Sequence, residues 1–299
     1  SPAQQRRAVE HHRVFARLDP AQKFAILDLL KEKHAVGFLG DGFNDTPGLK
    51  VAHAALAVQG ASDAAKDVAD VILLNKSLSV ICDGIEEGRR IAANVISYLK
   101  ITLASNFGNF YSVAIASLFV DFLPMLPAQI LLVNLLTDMP MVAIAADRPD
   151  TEGLRRPHRA DAKEVIIAAT VFGTVSSVFD FAAFAWFRQL GEQGLQTMWF
   201  TFSVITELAL IYSLRTRKPF WRGMRSAPVL VALTGLAAVV ALVLPQVAVG
   251  RAAFGFLQPT ALLIGQVFAL AGAYFLVTEF VKRRFNGRNN GGNHGRHAV

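Results

Sequence analysis

The sequence predicts an α/β domain followed by an all-α bundle of six transmembrane helices. Three observations carry this reading. Short helical and strand-like patterns alternate through the first 85 residues, six apolar runs of bilayer-crossing length fill most of the remainder, and basic residues crowd every second connection between those runs.

Asp19-Pro20 signals the start of a helix over 20–33, with Phe24, Leu27 and Leu30 on one face. An apolar strand is expected over 34–39, a helix over 46–53, a strand over 54–58, a helix over 62–68 and a third strand over 69–74. This rhythm implies a parallel sheet with ligand groups at the carboxyl ends of its strands. So short a stretch holds only part of such a domain. Residues 86–98 read as a charged stalk helix, unbroken after Gly88, that continues into the first apolar run. Candidate spans lie at about 97–120, 125–146, 164–187, 197–214, 227–249 and 259–281. The expected division is 1–88 for the α/β part, 89–285 for stalk and bundle, and 286–299 for a disordered Gly/Asn/His-rich tail.

Charge sets the expected orientation. The connection 147–163 carries Arg148, Arg155, Arg156, Arg159 and Lys163, and 215–226 carries Arg215, Arg217, Lys218, Arg222 and Arg225. The tail adds Lys282, Arg283, Arg284, Arg288 and Arg296, against only Arg188 and Arg251 on the opposite side. The positive-inside rule therefore places the α/β part, those two connections and the C-terminus in the cytosol.

A chain 53% hydrophobic and 18% charged is too apolar for a soluble domain and too charged for a purely membrane one. Its net charge of +7 sits in short connections and the tail without interleaved aromatic residues, which points to membrane lipid and away from nucleic acid. The single cysteine excludes an internal disulfide, and Cys82 is expected to be a buried structural residue. Residues 1–13 lack the apolar core of a signal peptide, and a start without Met reads as the interior of a longer polypeptide.

Two clusters carry chemistry. Gly40-Asp41-Gly42-Phe43-Asn44-Asp45-Thr46-Pro47 follows the apolar stretch 35–39. Two carboxylates and an amide on a turn behind a buried strand can present oxygen ligands to Mg²⁺ beside a phosphoryl group. The first span contains Ser105-Asn106-Phe107-Gly108-Asn109, and the second contains Asn134, Thr137 and Asp138 followed by Pro140. A carboxylate in an apolar run costs roughly 2.5–3.5 kcal/mol or more unless it meets a cavity or a partner. Asn134, Thr137 and Asp138 share one helical face, as do Asn106 and Asn109. Pro140 withdraws a backbone donor and Gly108 thins its helix, so carbonyl oxygens become available nearby. One carboxylate among neutral oxygens suits a hard cation. Glu207, in the fourth span, reads either as a ligand or as an interhelical hydrogen-bonding residue, and Asp121 and Asp180 read as interfacial.

The segments VFARLDPAQK, GFLGDGFNDTPGLK and SDAAKDVADVILLNKSLSVICDGIEEGRR resemble the C-terminal part of the phosphorylation domain of P-type cation-transporting ATPases, a haloacid-dehalogenase-like, Rossmann-type fold. The resemblance continues through all six spans. SNFGNFYSVAIASLFVDFLPMLPAQILLVNLLTD, TELALIYSLRTRKPFWR and LVTEFVKRRF are most similar to the magnesium-translocating branch. It implies that Lys23 steadies the transferring phosphoryl group, that Asp41 binds the catalytic Mg²⁺, and that Asn44 and Asp45 hold phosphate and metal geometry. Gly40 and Gly42 would let the backbone turn sharply against the ligand. It implies a transport site of Asn106, Asn109, Asn134, Thr137, Asp138 and Glu207, ATP as co-substrate, and a bacterial plasma (inner) membrane. Leu39 stands where many members have Thr, Thr46-Pro47-Gly48 where Ala-Pro-Ala is common, and Asn109 where calcium pumps usually have Glu. The nucleophilic Asp, the nucleotide-binding and actuator domains and the first four spans are expected in the rest of the same polypeptide. A calcium or proton pump is the alternative within the class; a truncated membrane interaction or regulatory protein is the alternative outside it.

Overall fold

The structure, a computed structural model, describes residues 2–75, 77, 79–119, 121–150, 161–223 and 225–292. The chain divides into two compact units, Ser1–Ile85 and Glu86–Val299.

The first unit opens with α1 (Pro2–His11) and α2 (Pro20–Lys31). The Asp19 carboxylate accepts from Gln22 N at 2.7 Å while the Gln22 side chain accepts from Asp19 N at 3.1 Å. This reciprocal cap, with Pro20 in the first turn, fixes where α2 begins. Strands β1 (Gly37–Gly40), β2 (Ala54–Val58) and β3 (Val71–Leu73) form a parallel sheet in the order β1-β2-β3, with α3 (Thr46–Val51) and α4 (Asp63–Val68) between them. The alternation matches the expected one, with one local shift. His53 N donates to Val36 O at 2.9 Å and His53 Nδ1 accepts from Val36 N at 3.1 Å. That clasp occupies the backbone of Val36, so the regular ladder starts at Gly37 and α3 ends at Val51. Leu49, Ala55, Ala57, Ala61 and Ala65 make the core of this unit.

A 38-residue helix, α5 (Ser79–Ala116), carries the chain into the second unit and begins earlier than the expected stalk. Cys82 on it is exposed, which corrects the buried assignment. It belongs to the charged first part of the helix.

Then follow α6 (Pro127–Val142), tightening into a 3₁₀ turn over Ala143–Ala146, α7 (Ala162–Phe187) and α8 (Gly191–Leu214). Gly191 takes φ +74°, a left-handed value that glycine adopts without strain, where the chain reverses between α7 and α8. The last elements are α9 (Pro228–Val243), α10 (Ala248–Phe254) and α11 (Ala261–Gly292).

Among the described residues, three stretches are long and apolar enough to cross a membrane: 127–146, 162–214 and 261–286. The second stretch is the α7–α8 hairpin. The expected fifth span is broken, because α9 and α10 meet at a bend of 85° and pass the test only as a pair. Pro245 follows α9, and a Cβ on Gly250 would lie 2.1 Å from Leu244 O, so the bend needs a glycine there. The part of α5 read as a span is not among the three; Ser105, Asn106 and Asn109 dilute its apolar content. Arg155, Arg156, Arg159 and the tail beyond 292 lie outside the described residues, and α11 extends to Gly292, into the stretch expected to be disordered.

Small residues bring α5 and α7 close together. A Cβ on Gly108 would sit 2.8 Å from Ser176 Cβ, and one on Gly173 would sit 2.9 Å from Phe107 Cβ. At one end of the bundle, polar side chains tie the helix ends. Asp147 pairs with Arg215 Nε at 2.5 Å and accepts from Ala227 N at 2.8 Å. Lys282 joins Glu279 at 2.6 Å and Ser213 O at 2.8 Å, while Lys100 meets Glu164 at 2.6 Å. The basic connections expected on one side of the membrane thus meet at one end of the unit. Asp147→Ala leaves a buried guanidinium without this carboxylate, although Arg215 keeps another partner. The full-length protein in detergent should lose about 3 kcal/mol, the low end for breaking a buried pair, seen as a lower melting temperature; Asp147→Asn should lose less.

Candidate functional site

The turn in the first unit is built around Asp45. Its Oδ1 accepts from Lys23 Nζ at 2.7 Å, and its Oδ2 accepts from Asp41 N at 3.2 Å and Gly42 N at 3.4 Å. The capped helix α2 delivers Lys23, and the 3₁₀ turn Phe43–Asp45 folds Asp45 back beneath the loop. Gly40 is needed for closeness, since a Cβ there would lie 2.7 Å from Asp45 Cβ. Gly42 is extended (φ −115°) and opens the 3₁₀ turn, its carbonyl accepting from Asp45 N at 3.1 Å, and a Cβ there would meet nothing nearer than Asn44 N at 4.0 Å.

Asp45 is nearly buried, while Asp41 and Asn44 are exposed at the end of β1. Partial burial alone would raise the Asp45 carboxyl. The Lys23 ammonium and the two backbone N–H groups outweigh it and hold the group below the ordinary carboxylate range. Asp41 is held through its backbone, its carbonyl accepting from Ser62 N at 2.8 Å, which leaves the exposed carboxylate to the solvent side. An exposed carboxylate fixed by its own backbone fits a hard cation such as Mg²⁺.

The second unit holds a polar cluster among apolar helices. Asn109 Nδ2 donates to Glu207 Oε1 at 2.8 Å, joining α5 to α8, and the hydroxyls of Ser105 and Thr137 also face this carboxyl. Asn109 and Asn134 line a cavity of about 30 Å³ together with Trp199 and Ser203. Asn109, Asn134, Thr137 and Glu207 are therefore gathered. Asn106 and Asp138 are not: both are exposed on the outer face of this unit, Asp138 in a stripe with Leu131, Leu135, Met139 and Val142.

Asp180 is a correction. Read as interfacial, it is 2% exposed and accepts from Ser112 Oγ at 2.6 Å and Trp199 Nε1 at 2.9 Å. Two strong donors from flanking helices replace the water that an interfacial carboxylate would use. Sequence reasoning named Ser105 without giving it a role and passed over Ser112 and Ser203. Helical period was the available signal: Ser105, Asn109 and Ser112 share a face of α5, and Trp199, Ser203 and Glu207 share a face of α8.

Apolar helices packed around buried carboxyl groups define a membrane protein with a polar centre among its helices. Residues 122–284 match the family described as Cation transporting ATPase, C-terminus, and the chain belongs to that family. It is 38% identical over 287 residues to Magnesium-transporting ATPase, P-type 1 of Escherichia coli, covering 92% of this chain and 31% of that protein. A protein of the same description in Salmonella typhimurium is 39% identical over 285 residues, with the same shares of each chain. Endoplasmic reticulum calcium ATPase srcA of Aspergillus fumigatus is 32% identical over 192 residues, 58% of this chain and 20% of that protein. The chain thus spans about a third of the length of its magnesium-transporting relatives.

A depressed folded-state value means that Asp45 contributes fully above the ordinary carboxylate range and loses its contribution as pH falls through the lowered value. Lys23→Met should cost about 1 kcal/mol, the modest figure expected because Lys23 is 34% exposed and screened. In hydrogen exchange on the full-length protein, corrected for intrinsic rates, the turn at 40–45 should keep its protection to a more acidic pH in the parent than in Lys23→Met.

Proposed function

We propose that this chain is the C-terminal part of a P-type pump that moves a divalent cation, Mg²⁺, across the plasma membrane at the expense of ATP. The observation that carries the reading is the Asn109–Glu207 hydrogen bond, a buried carboxyl held by an amide among apolar helices. A carboxyl kept among apolar helices marks a functional site by default. The names of the two enterobacterial relatives support Mg²⁺ as that cargo. So does the composition of the gathered site: one carboxyl among amides and hydroxyls suits an ion that keeps part of its water, whereas Ca²⁺ favours more ligating oxygens.

On this reading the first unit is the C-terminal part of a haloacid-dehalogenase-like phosphorylation domain. Asp41 would ligate the catalytic Mg²⁺, which supplies charge neutralisation at the transferring phosphoryl group. Lys23 and Asp45 hold the turn in shape, and Asn44 presents a neutral amide toward phosphate. Nucleotide binding, the nucleophile and the first four spans belong to the remainder of the polypeptide. Those spans would cover Asn106 and Asp138, completing the transport site. The basic end of the bundle, the first unit and the C-terminus would face the cytosol.

The test is ATP-driven uptake by the full-length protein in sealed vesicles, with Mg²⁺ and Ca²⁺ compared. Mg²⁺ should be moved, Asp41→Ala should abolish turnover, and Glu207→Gln should lower uptake at least tenfold while the protein stays folded. Unaltered uptake in Glu207→Gln would remove the basis of the proposal, and Ca²⁺ uptake without Mg²⁺ uptake would change its cargo.

A further inference from the structure

Asp180 is a buried carboxyl for which the transport reading has no use. It sits on α7, and among the described residues none from α7 lines the cavity that carries Asn109 and Asn134. An ionisable group kept inside an apolar bundle asks for a role. Its two oxygens are spent on two different helices: Oδ2 accepts from Ser112 Oγ on α5 at 2.6 Å, and Oδ1 accepts from Trp199 Nε1 on α8 at 2.9 Å. Both donors are buried. The short bond to α5 is possible because Gly108 lets the two helices approach at Ser176. Asp180 follows Ser176 by one turn, as Ser112 follows Gly108, so the carboxyl and the hydroxyl meet in the same register.

Each donor is also a neighbour of the transport pair. Ser112 lies one turn beyond Asn109 on the same face of α5, so holding Ser112 holds the rotation with which Asn109 reaches Glu207. Trp199 forms part of the wall beside Asn109 and Asn134. Its ring meets Phe184 edge-on with centroids 4.5 Å apart, and Phe184 is one turn beyond Asp180 on α7. One face of α7 therefore holds the indole at two points, its N–H and its ring. We infer that Asp180 is a positioning residue for cation transport: by bridging Ser112 to Trp199 it sets the rotation of α5 behind Asn109 and the indole wall beside it, without touching the cargo. The inference rests on the transport reading and adds α7 to it. An amide can make the same bridge. An asparagine oxygen accepts from Trp199 Nε1, and its NH₂ donates to the Ser112 hydroxyl, which accepts as well as donates. Ion ligation or proton carriage would need the carboxyl itself.

Uptake by the full-length protein in sealed vesicles, measured against Mg²⁺ concentration, tests the bridge. Ser112→Ala and Trp199→Phe each remove one donor and should raise the KM for Mg²⁺ about threefold, the change that an average interhelical hydrogen bond corresponds to, with little loss of maximal rate. Asp180→Leu removes both acceptors and should raise the KM about tenfold, and adding Ser112→Ala to it should change nothing further. Asp180→Asn should behave like the parent. If Asp180→Leu does not fold, the two donor variants and Asp180→Asn still decide the matter. Asp180→Asn impaired well beyond Ser112→Ala, at equal melting temperature, would show that the carboxyl acts by its charge and would overturn the inference. An unchanged KM in Ser112→Ala and Trp199→Phe, alongside impaired uptake in Glu207→Gln, would reduce the bridge to a fold contact and overturn it while sparing the transport reading. Unaltered uptake in Glu207→Gln would remove the transport reading and this inference with it.

Discussion

Sealing a carboxyl inside an apolar bundle forces its neighbours to answer it, and the bond from Asn109 to Glu207 is that answer in this chain. Water cannot reach the group, so its oxygens must take donors from protein. That demand fixes the facing sides of α5 and α8. It turns Asn109 so that its nitrogen points to Glu207 and its oxygen elsewhere. Around this centre the bundle packs large apolar side chains, including Trp199, Phe200 and Ile211. The same demand recurs one layer away at Asp180, met there by Ser112 and Trp199.

Polar groups at the bundle's end follow a different rule. Asp147, Arg215, Glu279 and Lys282 are buried yet mutually paired, and several also cap backbone groups of adjoining connections. Ion pairs of this kind hold helix ends in register with little net gain over apolar packing. Together they join the ends of α6, α8, α9 and α11.

Much of the fold was legible because local rules decided it. Asp19-Pro20 fixed the start of α2, and the strand at 54–58 stood out as an apolar run between turn residues. Position within the bundle was less legible. Asp180 looked interfacial because sequence distance from a helix end says nothing about the donors that neighbouring helices bring. Asp138 and Asn106 share faces with gathered residues in a simple helical projection, yet α5 and α6 turn those positions outward in this chain. Gly42 seemed necessary by motif, whereas only Gly40 is pressed against Asp45. Ser203 was passed over because a serine in an apolar helix usually bonds back to its own backbone, as Thr201 and Thr206 do here.

The crossing of α5 over α7 has a mechanical consequence. Ser177 Oγ lies 3.1 Å from Gly108 O on the opposite helix and 3.1 Å from Gly173 O on its own. One hydroxyl proton is thus shared between an acceptor across the gap and an acceptor at home. Sliding the two helices apart strands no donor, since the proton simply reverts to Gly173. Glycine on both surfaces seats Ser176 against Gly108 and Phe107 against Gly173, so the crossing is close while its one bridging proton keeps an acceptor wherever the helices stand.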